Sequence, residues 1–273
     1  MTSAGAAVLI RHGLRGGSAY AGYWVNLAVG SLGLWAAVAV RGFREPPTAR
    51  GVALFVLAGL VGTAAGRLLR FVSIDKVGAS VTAALNNLYP FISSGLAILL
   101  LGEAVTAAIA AGTVVIVLGT VLLSLGGRRV GFRPRHLLYP VGAATCFGVV
   151  AVLRKVGLAQ MGPAEGLAVN VTTALVAFTA VVLLSSGREA VRCDGRSLGY
   201  FVVAGVAENA GVFLALLALN LGTVSVVAPL AGTAPLFALL FSFLFLRGVE
   251  RLTTQVVLGT LCIVAGVYLI TAL

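Results

Sequence analysis

The sequence predicts an all-α, polytopic helical membrane protein built from two inverted-topology five-helix repeats. About ten helices are expected, the first of them truncated. Three observations lead there. Hydrophobic residues make up 60% of the 273 positions and charged residues only 10%, with a mean hydropathy of +1.09; a soluble domain of this length needs more polar surface. Uncharged runs such as 16–40, 77–102, 104–127, 166–187 and 209–246 reach the roughly 20 residues that span a bilayer as a helix. They lack the alternation of a barrel, the other structure lipid allows. Finally, the chain repeats itself at an offset of about 145 residues, as expected of a membrane protein made of two related halves.

Taken in order, a partial apolar helix over 1–12 is followed by helices at about 18–40, 51–72, 79–101, 105–125, 137–157, 165–186, 197–218, 224–246 and 252–272. Short connections carry the Gly, Pro and Arg content, as in Arg41-Gly-Phe-Arg-Glu-Pro-Pro47 and Gly126-Gly-Arg-Arg129. Overlaying the halves gives five helices each, 1–126 and 127–273, and an odd number per copy requires the second to lie upside down. Matched residues include Gly13 with Gly157, Asn26 with Asn170, Pro90 with Pro235, Glu103 with Glu250 and Gly112 with Gly259. Gly157 follows a full apolar helix whereas Gly13 follows only twelve residues, so translation is expected to start upstream of Met1. No basic stretch precedes the first apolar run, which argues against a cleaved signal peptide.

The net charge of +11 does not indicate nucleic-acid binding. The Arg residues stand singly or in small groups between apolar runs, where they face lipid headgroups. Counted on alternate sides, 14 Lys and Arg fall on one side and 5 on the other, the latter including Arg154 and Lys155. The positive-inside rule then places the 126–136 connection in the cytoplasm and the C-terminus outside. Cys146, Cys193 and Cys262 and the two His are scattered, so no metal site or cofactor is expected.

Several motifs resemble the EamA-type members of the drug/metabolite transporter superfamily. In the first copy Pro90 is followed by Leu101-Gly102-Glu103-Ala-Val-Thr106. In the second, Ser225-Val-Val-Ala-Pro229 and Ala234-Pro235-Leu-Phe237 lead to Phe245-Leu246-Arg247-Gly-Val-Glu250-Arg-Leu-Thr253 and Gly259. The resemblance spans the chain and implies a ten-helix carrier of small metabolites or drugs with both termini cytoplasmic. The truncated first helix and the charge bias depart from that pattern.

Residues that differ between the copies are the candidates for function. Glu208 lies near the middle of helix 197–218 and matches Thr63. Within a membrane a carboxylate faces a cavity or a partner, and withdrawal from water favours its protonated form, so it could load and release a proton. Asn209 could hydrogen-bond it. Arg67 matches Val212; it could bind an anionic group, counter Glu208 or snorkel, while Arg70 is placed at the interface. Asn86, Asn87 and Tyr89 precede Pro90, which cannot donate to the carbonyl of Asn86. With Ser93 and Ser94 they form a polar patch beside a kink, and Pro229 and Pro235 repeat the device in the second copy. Asn26 and Asn170 could bond a neighbouring helix or a substrate. Tyr20, Tyr23 and Trp24 could wall a cavity or sit in an aromatic belt.

Glu103 and Glu250 are expected to cap the helices that follow them. Gly112, Gly119, Gly259 and Gly266 predict close packing or a homodimer face on helices 105–125 and 252–272.

These readings converge on a secondary active transporter of the cytoplasmic membrane. It would move a small organic metabolite or drug by alternating access, as proton-coupled export through Glu208. No phosphate-binding Gly-Lys-Ser/Thr loop points to ATP, and no constellation of catalytic side chains points to an enzyme. The alternative is an uncoupled facilitator or exchanger in which Glu208 and Arg67 bind substrate.

Overall fold

A computed structural model describes residues 9–10, 12–13, 16–42, 47–77, 79–125, 133–185, 191–233, 236–237 and 254–272. Its regular elements are helices: α1 (Ala19–Arg41), α2 (Ala49–Ala58), a π-helical segment (Gly59–Gly66), α3 (Arg67–Val77), α4 (Ala79–Asn86), α5 (Tyr89–Leu101), α6 (Ala107–Leu125), a 3-10 turn (Pro134–Leu137), α7 (Leu138–Leu158), α8 (Pro163–Ser185), α9 (Gly195–Leu221), α10 (Val224–Ala231) and α11 (Thr254–Ala272). Among the described residues, six stretches are long and apolar enough to cross a membrane: Ala19–Arg41, Ala49–Arg70, Ala84–Leu101, Pro134–Leu158, Pro163–Leu184 and Gly195–Leu221. Two shorter apolar helices cover Ala107–Leu123 and Val257–Thr271. The expected ten spans are therefore not all seen among the described residues. Most of the expected first helix, Pro235, Glu250 and the C-terminal part of helix 224–246 lie outside them.

Local chemistry sets the helix ends. The Ser18 hydroxyl accepts the Ala21 N–H at 3.0 Å and opens α1, and Thr48 does the same for Gly51 in α2. Gly42 and Gly102 close α1 and α5 at φ +74° and +65°, a backbone that glycine adopts without a Cβ penalty. Large apolar side chains lie on the surface, among them Leu99, Leu184 and Leu221, each at least 80% exposed. Such a surface suits lipid.

Two compact units divide the chain, Met1–Ala64 with Leu153–Asn220, and Ala65–Val152 with Leu221–Leu273. In the first unit, α8 packs on α1 and α2, and two repeat-matched aromatics anchor it. Phe55 is fully buried where Gly157 and Gly166 leave room, for a Cβ on Gly157 would come within 2.8 Å of its ring. Phe201 is buried in the same way against Gly13 and Gly22, where a Cβ on Gly22 would stand 2.8 Å from the ring. Each copy thus supplies the aromatic that fills the glycine groove of the other.

In the second unit, α6 and α11 form a seam. A Cβ on Gly112 would meet the Gly266 carbonyl at 2.8 Å, and one on Gly119 would meet that of Gly259 at 2.7 Å. Small residues let two membrane helices approach this closely. The four glycines serve close packing inside the chain.

Two expected helices differ in detail. The 51–72 helix contains eight residues of π-helix, Gly59–Gly66, a rare geometry concentrated at functional sites. The 79–101 helix is broken rather than kinked. Asn87 and Leu88 form a turn between α4 and α5, closed by Leu88 N–H on the Leu85 carbonyl at 3.1 Å.

Candidate functional site

In the first unit, α1 and α9 meet through polar groups in otherwise apolar helices. Asn26, 4% exposed, donates its side-chain N–H to Glu208 Oε2 at 2.5 Å. Asn209 Nδ2 donates to the Asn26 main-chain carbonyl at 3.1 Å, to Asn26 Oδ1 at 3.4 Å and to the Gly205 carbonyl at 2.8 Å. Gly205 allows the approach, since a Cβ there would lie 3.2 Å from Asn26 Cα. The sequence-predicted Glu208, Asn209 and Asn26 thus come together, with the acid half-buried and held by an amide donor.

The matching position in the other copy has the same plan with different chemistry. Asn170 is fully buried. Its Oδ1 accepts from Thr63 Oγ1 at 3.0 Å and from an Arg154 guanidinium N–H at 3.1 Å, and its Nδ2 donates to the Phe55 carbonyl at 3.5 Å. Thr63 stands where Glu208 stands in the second copy. The two asparagines are therefore ties between helices, and their partners carry the difference.

The sequence reading counts Arg154 with Lys155 among the charges of one membrane side and gives it no partner. Arg154 lies in α7, four residues before the helix end, and turns toward Asn170. Its neighbour Lys155 donates Nζ to the Leu219 carbonyl at 2.9 Å, near the C-terminus of α9, where a cation complements the helix dipole. The overlay held a signal for Arg154, because its counterpart in the first copy is Ile10.

The aromatics of α1 face α8. Tyr23 makes an edge contact with Phe178 at 4.7 Å between centroids, Tyr20 stacks on the same ring at 6.2 Å, and Trp24 Nε1 donates to Thr179 Oγ1 at 3.0 Å. The Tyr23 hydroxyl also donates to the Thr63 carbonyl. It thereby satisfies a main-chain acceptor inside the π segment, where α-helical pairing is interrupted. The counterpart of Tyr23 is Leu167, which has no hydroxyl to offer.

The second unit holds Asn86, Asn87, Tyr89, Pro90 and Pro229. The turn at Asn87–Leu88 is matched by one at Gly232–Thr233, 145 residues on, where Gly232 N–H bonds the Ala228 carbonyl at 3.0 Å and Thr233 N–H the Leu230 carbonyl at 3.2 Å. Helices α5 and α10 pack together at these breaks. The Tyr89 hydroxyl donates to the Ala228 carbonyl at 2.6 Å, one residue before the buried Pro229.

Glu103 does not cap its own following helix, which Thr106 caps by accepting the Ile109 N–H at 3.2 Å. Its carboxylate accepts from Val224 N–H at 2.8 Å, Ser225 N–H at 2.9 Å and Ser225 Oγ at 2.8 Å. These are first-turn donors of α10 that no intrahelical acceptor can reach. Arg67 and Arg70 open α3 in this unit, Arg67 half-buried and Arg70 exposed.

Outside the membrane segments, Asp194 accepts the Ser197 N–H at 2.7 Å and caps α9. Its bonds to Ser197, side chain first and backbone second, hold its carboxyl below the usual range.

A search of curated proteins finds no match. A solved chain described as "Crystal structure of protein" is 19% identical, with a TM-score of 0.81 over 99% of this chain and 94% of its own; at that identity the likeness concerns the fold. The EamA-like transporter family matches two stretches, residues 1–125 and 135–272. With nearly the whole length matched, and with apolar helices suited to multiple membrane crossings, the chain belongs to the EamA-like transporter family of the drug/metabolite transporter superfamily.

Proposed function

We propose that the protein is a secondary active transporter of the cytoplasmic membrane that exports a small organic metabolite or drug in exchange for protons. Its two copies, 1–126 and 127–273, act as inverted halves in alternating access. The reciprocal seating of Phe55 and Phe201 in each other's glycine grooves supports that symmetry.

One observation carries the coupling role: an acid, Glu208, held by Asn26 at a position where the other copy has Thr63. An ionisable group inside a membrane helix is costly and is retained for a task. Asn26 donates to the carboxylate, and protonation turns one carboxyl oxygen into a donor, so proton loading rearranges the contact between α1 and α9. Arg154 supplies the opposite charge at the matching position and suits an anionic part of the substrate, a role also open to Arg67. Asn26 and Asn170 orient these groups. A homodimer through α6 and α11 would use faces other than the closed glycine seam.

A thermal-shift screen of metabolites on the purified chain identifies a substrate for the test. In proteoliposomes its uptake should follow an imposed pH gradient and be lost in Glu208→Gln. Gradient-independent transport that survives the substitution would replace this reading with the uncoupled facilitator.

A further inference from the structure

Two polar groups flank the helix break of the second unit without a partner among the described residues. Helix α4 ends at Asn86 and α5 begins at Tyr89. Among the described residues, Asn86 Oδ1 and Ser94 Oγ are both buried with no hydrogen-bond partner. The main-chain carbonyl of Asn86 faces a second shortage, because its helical donor would be residue 90, a proline without an N–H. Nearby polar groups are satisfied: Tyr89 on the Ala228 carbonyl at 2.6 Å, Ser93 Oγ on the Pro90 carbonyl at 3.1 Å, and Ser225 on Glu103. The shortage is therefore local to Asn86 and Ser94, and a buried acceptor without a donor destabilises a fold.

The second copy shows that the break itself does not need these groups. Its turn at Gly232–Thr233 has Ala231 where the first copy has Asn86, and position 94 matches Leu239. An apolar residue thus suffices at the end of the matching helix. What the first copy adds is two oxygens, Asn86 Oδ1 at the end of α4 and Ser94 Oγ in the second turn of α5. No charged residue occurs between positions 79 and 101. An amide oxygen only accepts, so what Asn86 Oδ1 lacks is a donor, which a carboxylate cannot offer.

We propose that the break at Asn86–Tyr89 receives a hydrogen-bond donor, an amine or ammonium group, of the transported molecule, with Asn86 Oδ1 and Ser94 Oγ as acceptors. This assignment rests on the transport reading and adds a chemical class to it.

Benzylamine and phenylacetate, similar in size and opposite in charge, serve as probes in thermal unfolding of the purified full-length chain. Millimolar benzylamine should raise the Tm and phenylacetate should not. Asn86→Leu, which removes an unsatisfied acceptor, should raise the ligand-free Tm by roughly 2–4 °C and abolish the benzylamine shift. Ser94→Ala should weaken that shift while leaving the ligand-free Tm unchanged or higher. The proposal is overturned if benzylamine gives no shift, if phenylacetate stabilises equally, if the benzylamine shift survives both substitutions, or if both lower the ligand-free Tm. Failure here leaves the Glu208 test untouched, and loss of proton coupling in that test leaves the benzylamine result standing.

Discussion

The two copies solve one structural problem with different chemistry. In each, an asparagine on one helix reaches a polar partner on a helix of the other copy: Asn26 to Glu208 and Asn170 to Thr63. The asparagines match, the partners do not. A hydroxyl suffices to tie two helices together at Thr63, and the carboxylate at the equivalent place is the group to which we assign proton coupling. The helix breaks teach the same lesson, since Asn86 is matched by Ala231 and both copies still form the turn. In the proposed reading, matched residues build the frame, and mismatches inside it, Glu208, Arg154 and Asn86 among them, carry the function.

Four measurements press on that contrast. The largest effect is expected at Glu208: Glu208→Gln should cut gradient-driven uptake by at least about tenfold, equivalent to about 1.4 kcal/mol, whereas Thr63→Val should keep most of it. Equal losses from both substitutions would erase the functional distinction between the copies. Next is the glycine seam, where Gly119→Leu places a side chain against the Gly259 carbonyl. Overpacking of this kind costs about 1–3 kcal/mol, to be read as a lower Tm and reduced yield of folded protein, while the same change at Gly33, which has open space around it, should have little effect.

Glu103→Ala should lower stability by about 1–2 kcal/mol, because it strips the first turn of α10 of its acceptor; an unchanged Tm would mean that water replaces the carboxylate. The smallest effect belongs to Asp194. Its folded-state pKa lies below the unfolded one, so its contribution is present above about pH 4 and fades as pH falls through the folded value. Asp194→Ala should lower the Tm slightly at neutral pH and flatten the acid limb of the Tm profile. An acid limb identical to that of the unsubstituted chain would show that other groups govern it.

Much of the frame was legible because a membrane helix needs a long apolar run, and hydropathy reads that directly. Expected bounds such as 18–40 and 105–125 lie within two residues of α1 and α6. Helix irregularities were harder to see. In Gly59–Gly66, where Thr63 is the one polar side chain, periodicity cannot separate a π-helix from an α-helix, since a single polar residue does not mark the winding. Pro90 announced a disturbance, but whether the helix bends or breaks depends on the donors and acceptors around Asn87 and Leu88.

The partners of polar side chains were least visible. Glu103 looked like a local cap because acids often cap the next helix, yet its donors lie more than 120 residues away. Arg154 reads as one more charge near a helix end, yet it turns to Asn170.

By itself, the amino-acid order determined the membrane class, the twofold repeat and the short roster of polar residues that break it. These follow from composition and spacing, which need no contacts. Tertiary structure alone decided that Asn26 meets Glu208, that Asn170 is shared by Thr63 and Arg154, and that the glycine seam closes within the chain. Hydrogen bonds reach only about 3 Å, so a pairing across 182 residues exists only once packing has brought the helices together.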